Sequence, residues 1–211
     1  KTFQKSMREH ALEKGVTITA PETVFFSFDT EISSGTMLEP NLVFGPGVTI
    51  GSGCVIRAFS HLEGCTLAEN VQVGPFARIR PGTHLDKASK VGNFVELKNT
   101  HLQEGSKVNH LSYCGDSIIG EKSNIGAGTI TCNYDGANKH QTQIGKNCFI
   151  GSNTSLIAPI AIGDNVVVAA GSALTQDVPS RSMAFARSRQ TVIEEKGLDH
   201  LKKIKEKKDN R

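Results

Sequence analysis

Apolar residues recur at every sixth position along most of this chain. The regular runs are Leu38, Phe44, Ile50, Ile56 and Leu62, then Val73, Ile79, Leu85, Val91 and Leu97, and then Ile144, Ile150, Leu156, Ile162, Val168 and Leu174. Glycine often follows the apolar residue, and a small residue often comes four positions after it. A six-residue period of this kind predicts a parallel β-helix, in which six residues make one side and one corner of a triangular coil.

Three sides make a coil of 18 residues, and the apolar positions point inward to fill the prism. Stacking at the strand spacing of about 4.8 Å pairs each coil with its neighbours, and a core is buried only when coils stack. The pattern resembles the hexapeptide repeat of the left-handed β-helix, and we take the handedness from that resemblance because the spacing alone does not give it. A sandwich or another solenoid is the alternative fold.

The repeat divides the chain into three parts. Residues 1–37 are expected to be a helix (1–14) and a connector, which together look like the end of a linker from a longer protein. Residues 38–178 are predicted to form the β-helix, with small slips near Leu67 and at 102–113. The polar segment 131–143 breaks the repeat and is predicted to be an extruded functional loop. Residues 179–211 are predicted to be an extension with a basic tail that contains a short helix at 194–208.

Charge, cysteine content and the lack of targeting segments limit where the protein is expected to act and what it is expected to bind. The formal net charge of +3 is too small to predict nucleic-acid binding, and the lysine-rich tail is interpreted as a solvated terminus rather than a nucleic-acid or membrane patch. The five cysteines form no CxxC pair, and Cys54 and Cys148 fall on small inward positions, as buried fillers in a reducing compartment would. The sequence contains no signal peptide and no apolar run of membrane length, so we expect a cytoplasmic protein.

Four motifs carry a closer resemblance. They are GPFARIRPG (74–82), VGNFVELK (91–98), GSKVNHLSYCG (105–115) and NIGAGTITCNYDGANK (124–139). Over about residues 45–191 the chain resembles the C-terminal acetyltransferase domain of the bacterial bifunctional N-acetylglucosamine-1-phosphate uridyltransferase and glucosamine-1-phosphate acetyltransferase. The resemblance implies acetyl transfer from acetyl-CoA to the amine of glucosamine 1-phosphate, on the route to UDP-N-acetylglucosamine for peptidoglycan and lipopolysaccharide. The sequence has no GTRM-type loop, so the uridyltransferase activity and its magnesium site are expected to be missing from this chain.

His110 is the candidate general base. Attack of an amine on a thioester needs a group that accepts the amine proton, and a histidine suits that task near neutral pH. The residues alone leave a structural histidine open. The resemblance implies that His110 is the general base, and it places Asn133 and Tyr134 at the junction of acetyl donor and acceptor, with Asn133 counted as catalytic.

Basic residues are the candidates for binding the substrate phosphate. Arg80 and Lys98 lie 18 positions apart, which is one coil, so they are expected to stack on one face about 5 Å apart. Two stacked cations suit a phosphate, although two solvated charges are the alternative. The resemblance adds Lys139 to the phosphate site and assigns Tyr113 and Asn124 to the sugar.

The expected acetyl-CoA site is a groove along the coils. The resemblance implies contacts from Ala127, Ser152 and Ala170, where small side chains admit the pantetheine, and from Asn133 and Tyr134. It also implies that Arg187 holds the 3′-phosphate of the cofactor. No metal is expected in this chain. Plain coil packing is the alternative interpretation of each alanine.

The chain is predicted to form a homotrimer with shared sites. The features that indicate it are the long flat faces, a polar loop without its own core and the position of Arg187 beyond the last coil.

Two other functions are alternatives to the acetyltransferase. They are another hexapeptide-repeat acyltransferase and a β-helical carbonic anhydrase. The carbonic anhydrase would need three histidines with a close pair, but His101 and His110 are nine residues apart. A structural or ice-binding β-helix would show outward threonine ladders and no extruded loop.

Overall fold

A computed structural model describes residues 2–209 of the protein. The first half contains α1 (Thr2–Glu13), β1 (Thr17–Ile18), a 3₁₀ turn (Pro21–Thr23), β2 (Val24–Phe25), β3 (Glu31–Ile32), β4 (Met37–Leu38), β5 (Leu42–Phe44), β6 (Thr49–Ile50), β7 (Val55–Ile56), β8 (His61–Leu62), β9 (Cys65–Leu67), β10 (Gln72–Val73), β11 (Arg78–Ile79) and β12 (Thr83–Leu85). The second half contains β13 (Lys90–Asn93), β14 (Glu96–Leu102), β15 (Lys107–His110), β16 (Tyr113–Ile119), β17 (Asn124–Ile125), β18 (Ile130–Cys132), β19 (Thr142–Ile144), β20 (Phe149–Ile150), β21 (Ser155–Ile157), β22 (Ile160–Ile162), β23 (Val167–Val168), β24 (Ala173–Leu174), β25 (Met183–Ala184) and α2 (Lys196–Asp209).

These strands form the three faces of a left-handed parallel β-helix of about nine turns. Face 1 is the ten-stranded sheet that runs from β1 through β13, β15 and β17 to β25. Face 2 begins at β2 and ends at β24, and face 3 begins at β3 and ends at β22. The seven-residue strands β14 and β16 contribute to both, since each bends round the corner between face 2 and face 3.

The six-residue pattern is explained by one buried column on each face. Ile56, Val73, Val91 and Val108 are strand partners on face 1, and each is at most 2% exposed. The predicted inward fillers Cys54 and Cys148 are also buried. Because each side is only two or three residues wide, the core is a stack of aliphatic layers. The predicted fold class is therefore confirmed.

The β-helix extends beyond the predicted range 38–178 in both directions. The segment 15–37, expected to be a connector, forms a first coil, because β1, β2 and β3 pair with β4, β5 and β6. On face 1 its strand partners Ile18 and Leu38 are 20 positions apart, two more than a regular coil. On face 3 Ile32 and Ile50 keep the regular separation of 18, so the buried Phe26 and Ile32 continue the six-residue period before Leu38. At the other end, β25 pairs with β23 beyond Pro179.

Both predicted helices are present. The helix predicted over 1–14 is α1, and it packs on the first coil through the buried side chain of Ala11. The helix predicted over 194–208 is α2, which buries none of its described residues. Lys1, Asn210 and Arg211, which belong to the predicted terminal segments, lie outside the described residues.

Candidate active site

His110 lies at the head of a corner column between face 1 and face 2. It ends β15, its side chain is exposed, and its strand partner in the preceding coil is Asn93. The registers of β15, β17, β20 and β23 place three small residues at the same corner of the following coils, namely Ala127, Ser152 and Ala170. We call these three residues the small column. At about 4.8 Å per coil, it extends about 14 Å from His110.

The small column is tied together by one repeated backbone hydrogen bond. The corner carbonyls of Asn93, His110, Ala127 and Ser152 each accept from an amide in the next coil, and these amides belong to Leu111, Gly128, Asn153 and Gly171. Glycine precedes Ala127 and Ser152, and a β-carbon on Gly126 would lie 2.6 Å from the carbonyl oxygen of Ile150. Close coil stacking thus requires glycine there, and it leaves a shallow, side-chain-poor strip beside His110.

The imidazole of His110 is held by a single side chain in the described structure. Its Nδ1 is 2.7 Å from Oδ1 of Asn93, whereas its carbonyl oxygen accepts hydrogen bonds from the Gly128 amide and the Ser112 hydroxyl. An amide oxygen only accepts hydrogen bonds, so Nδ1 carries the hydrogen in this arrangement. The lone pair of Nε2 remains available as a base.

Face 2 carries the basic residues beyond this corner. Ile79 and Leu97 are strand partners, so Arg80 and Lys98 stack on adjacent coils, as their separation predicts. Arg80 Nη1 donates to Glu96 Oε1 at 2.7 Å, and both side chains are about one-third exposed. The charge of Arg80 is therefore partly offset by a carboxylate that the sequence interpretation did not include.

Asp116 forms a polar centre at the far corner of face 2. Its carboxylate accepts from the Asn99 amide at 2.8 Å and from the Asn133 amide, so Asn133 is held in a buried position. Partial burial raises the pKa of Asp116, but those hydrogen bonds and the charges of Lys98 and Lys139 outweigh it and hold the pKa below its usual value. The site therefore contains a negatively charged carboxylate, that of Asp116, near Lys98 and Lys139, which are both predicted to bind the substrate phosphate.

Tyr113 and Thr131 enclose a glycine on face 2. The phenol of Tyr113 lies so close to Gly115 that any side chain at Gly115 would collide with it and with the Asn133 amide. The hydroxyl of Thr131 accepts from the Gly115 amide at 2.7 Å and donates to the Gly115 carbonyl at 3.1 Å. Thr131 thus satisfies backbone groups at the point where the chain leaves the coil for its loop.

The extruded loop has internal order of its own. Asp135 accepts from the amides of Ala137 and Asn138 and pairs with His140 Nε2 at 2.7 Å. Hydrogen bonds, that from the Asn138 amide first, lower the pKa of Asp135. The Lys139 ammonium lies 5.0 Å from the ring centroid of the exposed Tyr134. The expectation that the loop lacks any core is correct, but its own hydrogen bonds already define its shape.

Two predicted site residues lie apart from the others within one chain. Asn124 begins β17 on face 1, whereas Tyr113, Arg80 and Lys98 are on face 2. Arg187 follows β25 at the far end of the small column, where its Cδ is 4.0 Å from a β-carbon placed on Gly171. One chain therefore presents two neighbouring surfaces rather than one enclosed pocket.

Comparison with known proteins places this arrangement in a family. A model described as bacterial transferase hexapeptide (six repeats) matches residues 29–64, and one described as hexapeptide repeat of succinyl-transferase matches residues 141–176. The bifunctional protein GlmU of Bartonella bacilliformis is 53% identical over 209 residues, which are 98% of this chain and 46% of that protein. GlmU of Zymomonas mobilis is 51% identical over 188 residues, 89% of this chain and 42% of that protein.

The chain is a hexapeptide-repeat protein related to GlmU. It spans less than half the length of these relatives. Among solved structures, the UDP-N-acetylglucosamine acyltransferase of Arabidopsis superposes with a TM-score of 0.60 at 16% identity, covering 85% of this chain and 75% of that one. At that identity the likeness shows the shared fold alone.

Two further observations on this GlmU relative concern metal sites and membrane-spanning helices. Among residues 2–209, no group of three or more His, Cys, Asp and Glu side chains is arranged to hold a metal ion. No helix in that range is long and apolar enough to span a membrane.

Sequence reasoning missed Asn93, Glu96, Asp116 and Thr131. The sequence does hold a signal for three of their hydrogen bonds. Asn93 lies 17 residues before its partner His110, and Asp116 lies 17 residues from both of its partners, Asn99 and Asn133. Coils in this region are 17 residues long, because Val91 and Val108 are strand partners. Stepping by 17 rather than 18 would have found these pairs.

Proposed function

We propose that this chain transfers the acetyl group of acetyl-CoA to the amine of glucosamine 1-phosphate, forming N-acetylglucosamine 1-phosphate. The observation that carries the proposal is the position of His110, with a free Nε2, between the small column and the basic part of face 2. A base at this position meets a thioester from one side and an amine from the other. The identity with GlmU proteins over nearly the whole chain supports the same reaction.

In the proposed reaction, Nε2 of His110 accepts the proton as the amine nitrogen attacks the thioester carbonyl. The tetrahedral intermediate then breaks its C–S bond, and the departing CoA thiolate takes the proton from the imidazolium. The histidine is thereby returned to its starting state. Asn133, fixed by Asp116, and Tyr134 border this reaction centre.

For the acceptor, Arg80, Lys98 and Lys139 bind the phosphate, and Tyr113 and Asn124 bind the sugar. Arg80, Lys98, Lys139, Glu96 and Asp116 together carry a net charge of +1 when all are ionised, which favours an anionic ligand without a strong general attraction for anions. Glu96 holds the Arg80 guanidinium in place by its 2.7 Å contact. A phosphorylated sugar is therefore the best match for this face.

For the donor, acetyl-CoA lies along the small column with its thioester near His110. Ala127, Ser152 and Ala170 leave room for the pantetheine, and Arg187 at the far end pairs with the 3′-phosphate. Four coil steps from His110 to the level of Arg187 cover about 19 Å. An extended pantetheine arm and diphosphate require a groove on this scale.

The working unit is proposed to be a homotrimer whose sites lie between chains. Phe59, Phe76 and Phe94 form an exposed stack with ring centroids 4.9 and 5.2 Å apart, and Leu111 continues this column beside His110. An exposed apolar stripe of this kind is typical of a contact surface. A neighbouring chain packed there would also bring Asn124 on its face 1 towards face 2, which joins the residues that one chain separates. A cytoplasmic location fits the two metabolites.

The deciding experiment incubates the protein with acetyl-CoA and glucosamine 1-phosphate and follows the release of free thiol. His110→Ala should lower turnover at least about 100-fold, the usual contribution of a general base. Turnover close to wild type in a well-folded His110→Ala protein would refute the assignment. Equal use of free glucosamine and its 1-phosphate would refute the phosphate site.

Mixing variants tests the shared site independently. Chains with His110→Ala and chains with Asn124→Ala should regain part of the activity when they form mixed trimers, because Asn124 is proposed to reach the site from a neighbouring chain. Chains with His110→Ala and chains with Arg187→Ala should not, because both residues border the small column of one chain. Light scattering should give about three times the 22.7 kDa chain mass. A fully active monomer would contradict this arrangement.

A further inference from the structure

We propose that Asn93 is a positioning residue that selects the reactive tautomer of His110. The inference rests on the proposed function, in which His110 takes the amine proton. It assigns to a neutral amide one coil away the task of keeping the hydrogen on Nδ1, so that Nε2 faces the reactants as a base.

The contact that carries this inference is built into the coil stacking. Asn93 ends β13 and His110 ends β15, and the two residues are register partners in the parallel sheet of face 1. The distance of 2.7 Å between Asn93 Oδ1 and His110 Nδ1 is short for a hydrogen bond from nitrogen to oxygen. A neutral imidazole has one N–H, and a partner that only accepts requires that N–H at Nδ1.

The choice of an amide has a chemical consequence. A carboxylate at this position would also hold the Nδ1 tautomer, but its negative charge would favour the imidazolium form. A base must be neutral before it accepts a proton, and it must then return that proton to the thiolate. An amide orients the ring without adding a charge that would retain the proton.

Replacing the Asn93 side chain should remove its hydrogen bond to His110 without disturbing the coil. The Asn93 carbonyl accepts from the Leu111 amide at 3.1 Å, so the coil is held by backbone atoms that a side-chain substitution keeps. The other charged and titratable groups on β13 and β15 are Lys90 and Lys107, at the starts of these strands. Those on β14 and β16, beyond the corner, are Glu96, Lys98, His101, Tyr113, Cys114 and Asp116. None of them is changed in the variants below.

Kinetics give the first test. Asn93→Ala should lower kcat about 10-fold to 100-fold, within the usual general-base contribution, and should change the KM of both substrates little. Asn93→Asp should recover much of kcat at high pH, while the acid limb of its kcat/KM profile moves to higher pH because the new carboxylate stabilises imidazolium. Asn109→Ala, which removes an amide from the position before His110, is the matched control and should keep normal kinetics.

Nitrogen-15 NMR of the histidine rings gives a readout that does not depend on turnover. The His110 signals are those lost in His110→Ala. We expect the Nδ1–H tautomer in the wild type and in Asn93→Asp, and a mixture rich in Nε2–H in Asn93→Ala. A wild-type Nε2–H tautomer, or unchanged tautomer and kcat in Asn93→Ala, would overturn this proposal alone. Normal turnover in His110→Ala would overturn the proposed function, and with it the purpose assigned to Asn93.

Discussion

Thr131 and Thr129 lie two residues apart in one coil, but replacement by valine should destabilise the protein only at Thr131. The Thr131 hydroxyl bonds both the amide and the carbonyl of Gly115, and all these groups are buried. The Thr129 hydroxyl is also buried but has no hydrogen-bond partner among the described residues. Valine has nearly the shape of threonine, so Thr→Val removes the hydroxyl and leaves packing almost unchanged.

The magnitude follows from the groups left behind. In Thr131→Val, one buried N–H and one buried C=O of Gly115 lose their partner, and each such group costs about 1–3 kcal/mol. Compensation by a slight relaxation of the coil leaves a net loss in the free energy of unfolding of about 2–4 kcal/mol. In Thr129→Val, an unpaired polar atom is replaced by a methyl group, so the free energy of unfolding should stay equal or rise by up to about 1 kcal/mol.

Urea unfolding of both variants at one protein concentration measures this difference, because an oligomer's apparent stability depends on concentration. With a slope of about 2–3 kcal/mol per M, Thr131→Val should lower the midpoint by about 1 M at an unchanged slope. Its acetyl transfer should also fall, since Gly115 underlies Tyr113 and Asn133. Equal losses in the two variants would refute the reasoning, because they would show that hydroxyl removal matters regardless of its hydrogen bonds.

The other predictions concern the two ligand surfaces and acid stability. Ala170→Leu should raise the KM for acetyl-CoA at least about 10-fold by filling the small column, whereas Ala161→Leu, an exposed alanine on face 3, should not. Arg80→Ala should raise the KM for glucosamine 1-phosphate and leave that for acetyl-CoA unchanged, and Arg57→Ala, which breaks the similar 3.1 Å pair with Glu39, should alter neither. Because the folded-state pKa of Asp116 is depressed, its contribution to stability is present above about pH 4 and is lost as the pH falls through the folded pKa. Any stability difference between wild type and Asp116→Asn in thermal unfolding should therefore shrink in that acidic range, and a difference independent of pH would contradict the assignment.

The fold was predictable because burial dictates the six-residue period directly. Each inward residue, such as Ile150 or Val168, occupies a layer of its own, so its position in the sequence maps onto its position in space. The first coil was predictable in part, because the buried Phe26 and Ile32 lie 12 and 6 positions before Leu38 in the same period. Only its face-1 strand departs from the period, since two extra residues separate Ile18 from Leu38.

The candidate site was predictable where it follows the period and hidden where it does not. Arg80 and Lys98 stack as expected because their coil has 18 residues. The contacts of His110 and Asp116 depend on 17-residue coils and on asparagine amides, whose orientation no composition or spacing rule specifies.

Helix α1 has a consequence for the state of association. Its Gln4 side chain exchanges two hydrogen bonds with the backbone of Phe26, and Arg8 donates to the carbonyls of Val24 and Glu22. These side chains occupy backbone groups to which another coil could otherwise bind. The exposed strand edges of an uncovered first coil could pair with the coil of another molecule, so that molecules join end to end. Helix α1 covers these edges and thereby disfavours such polymerisation.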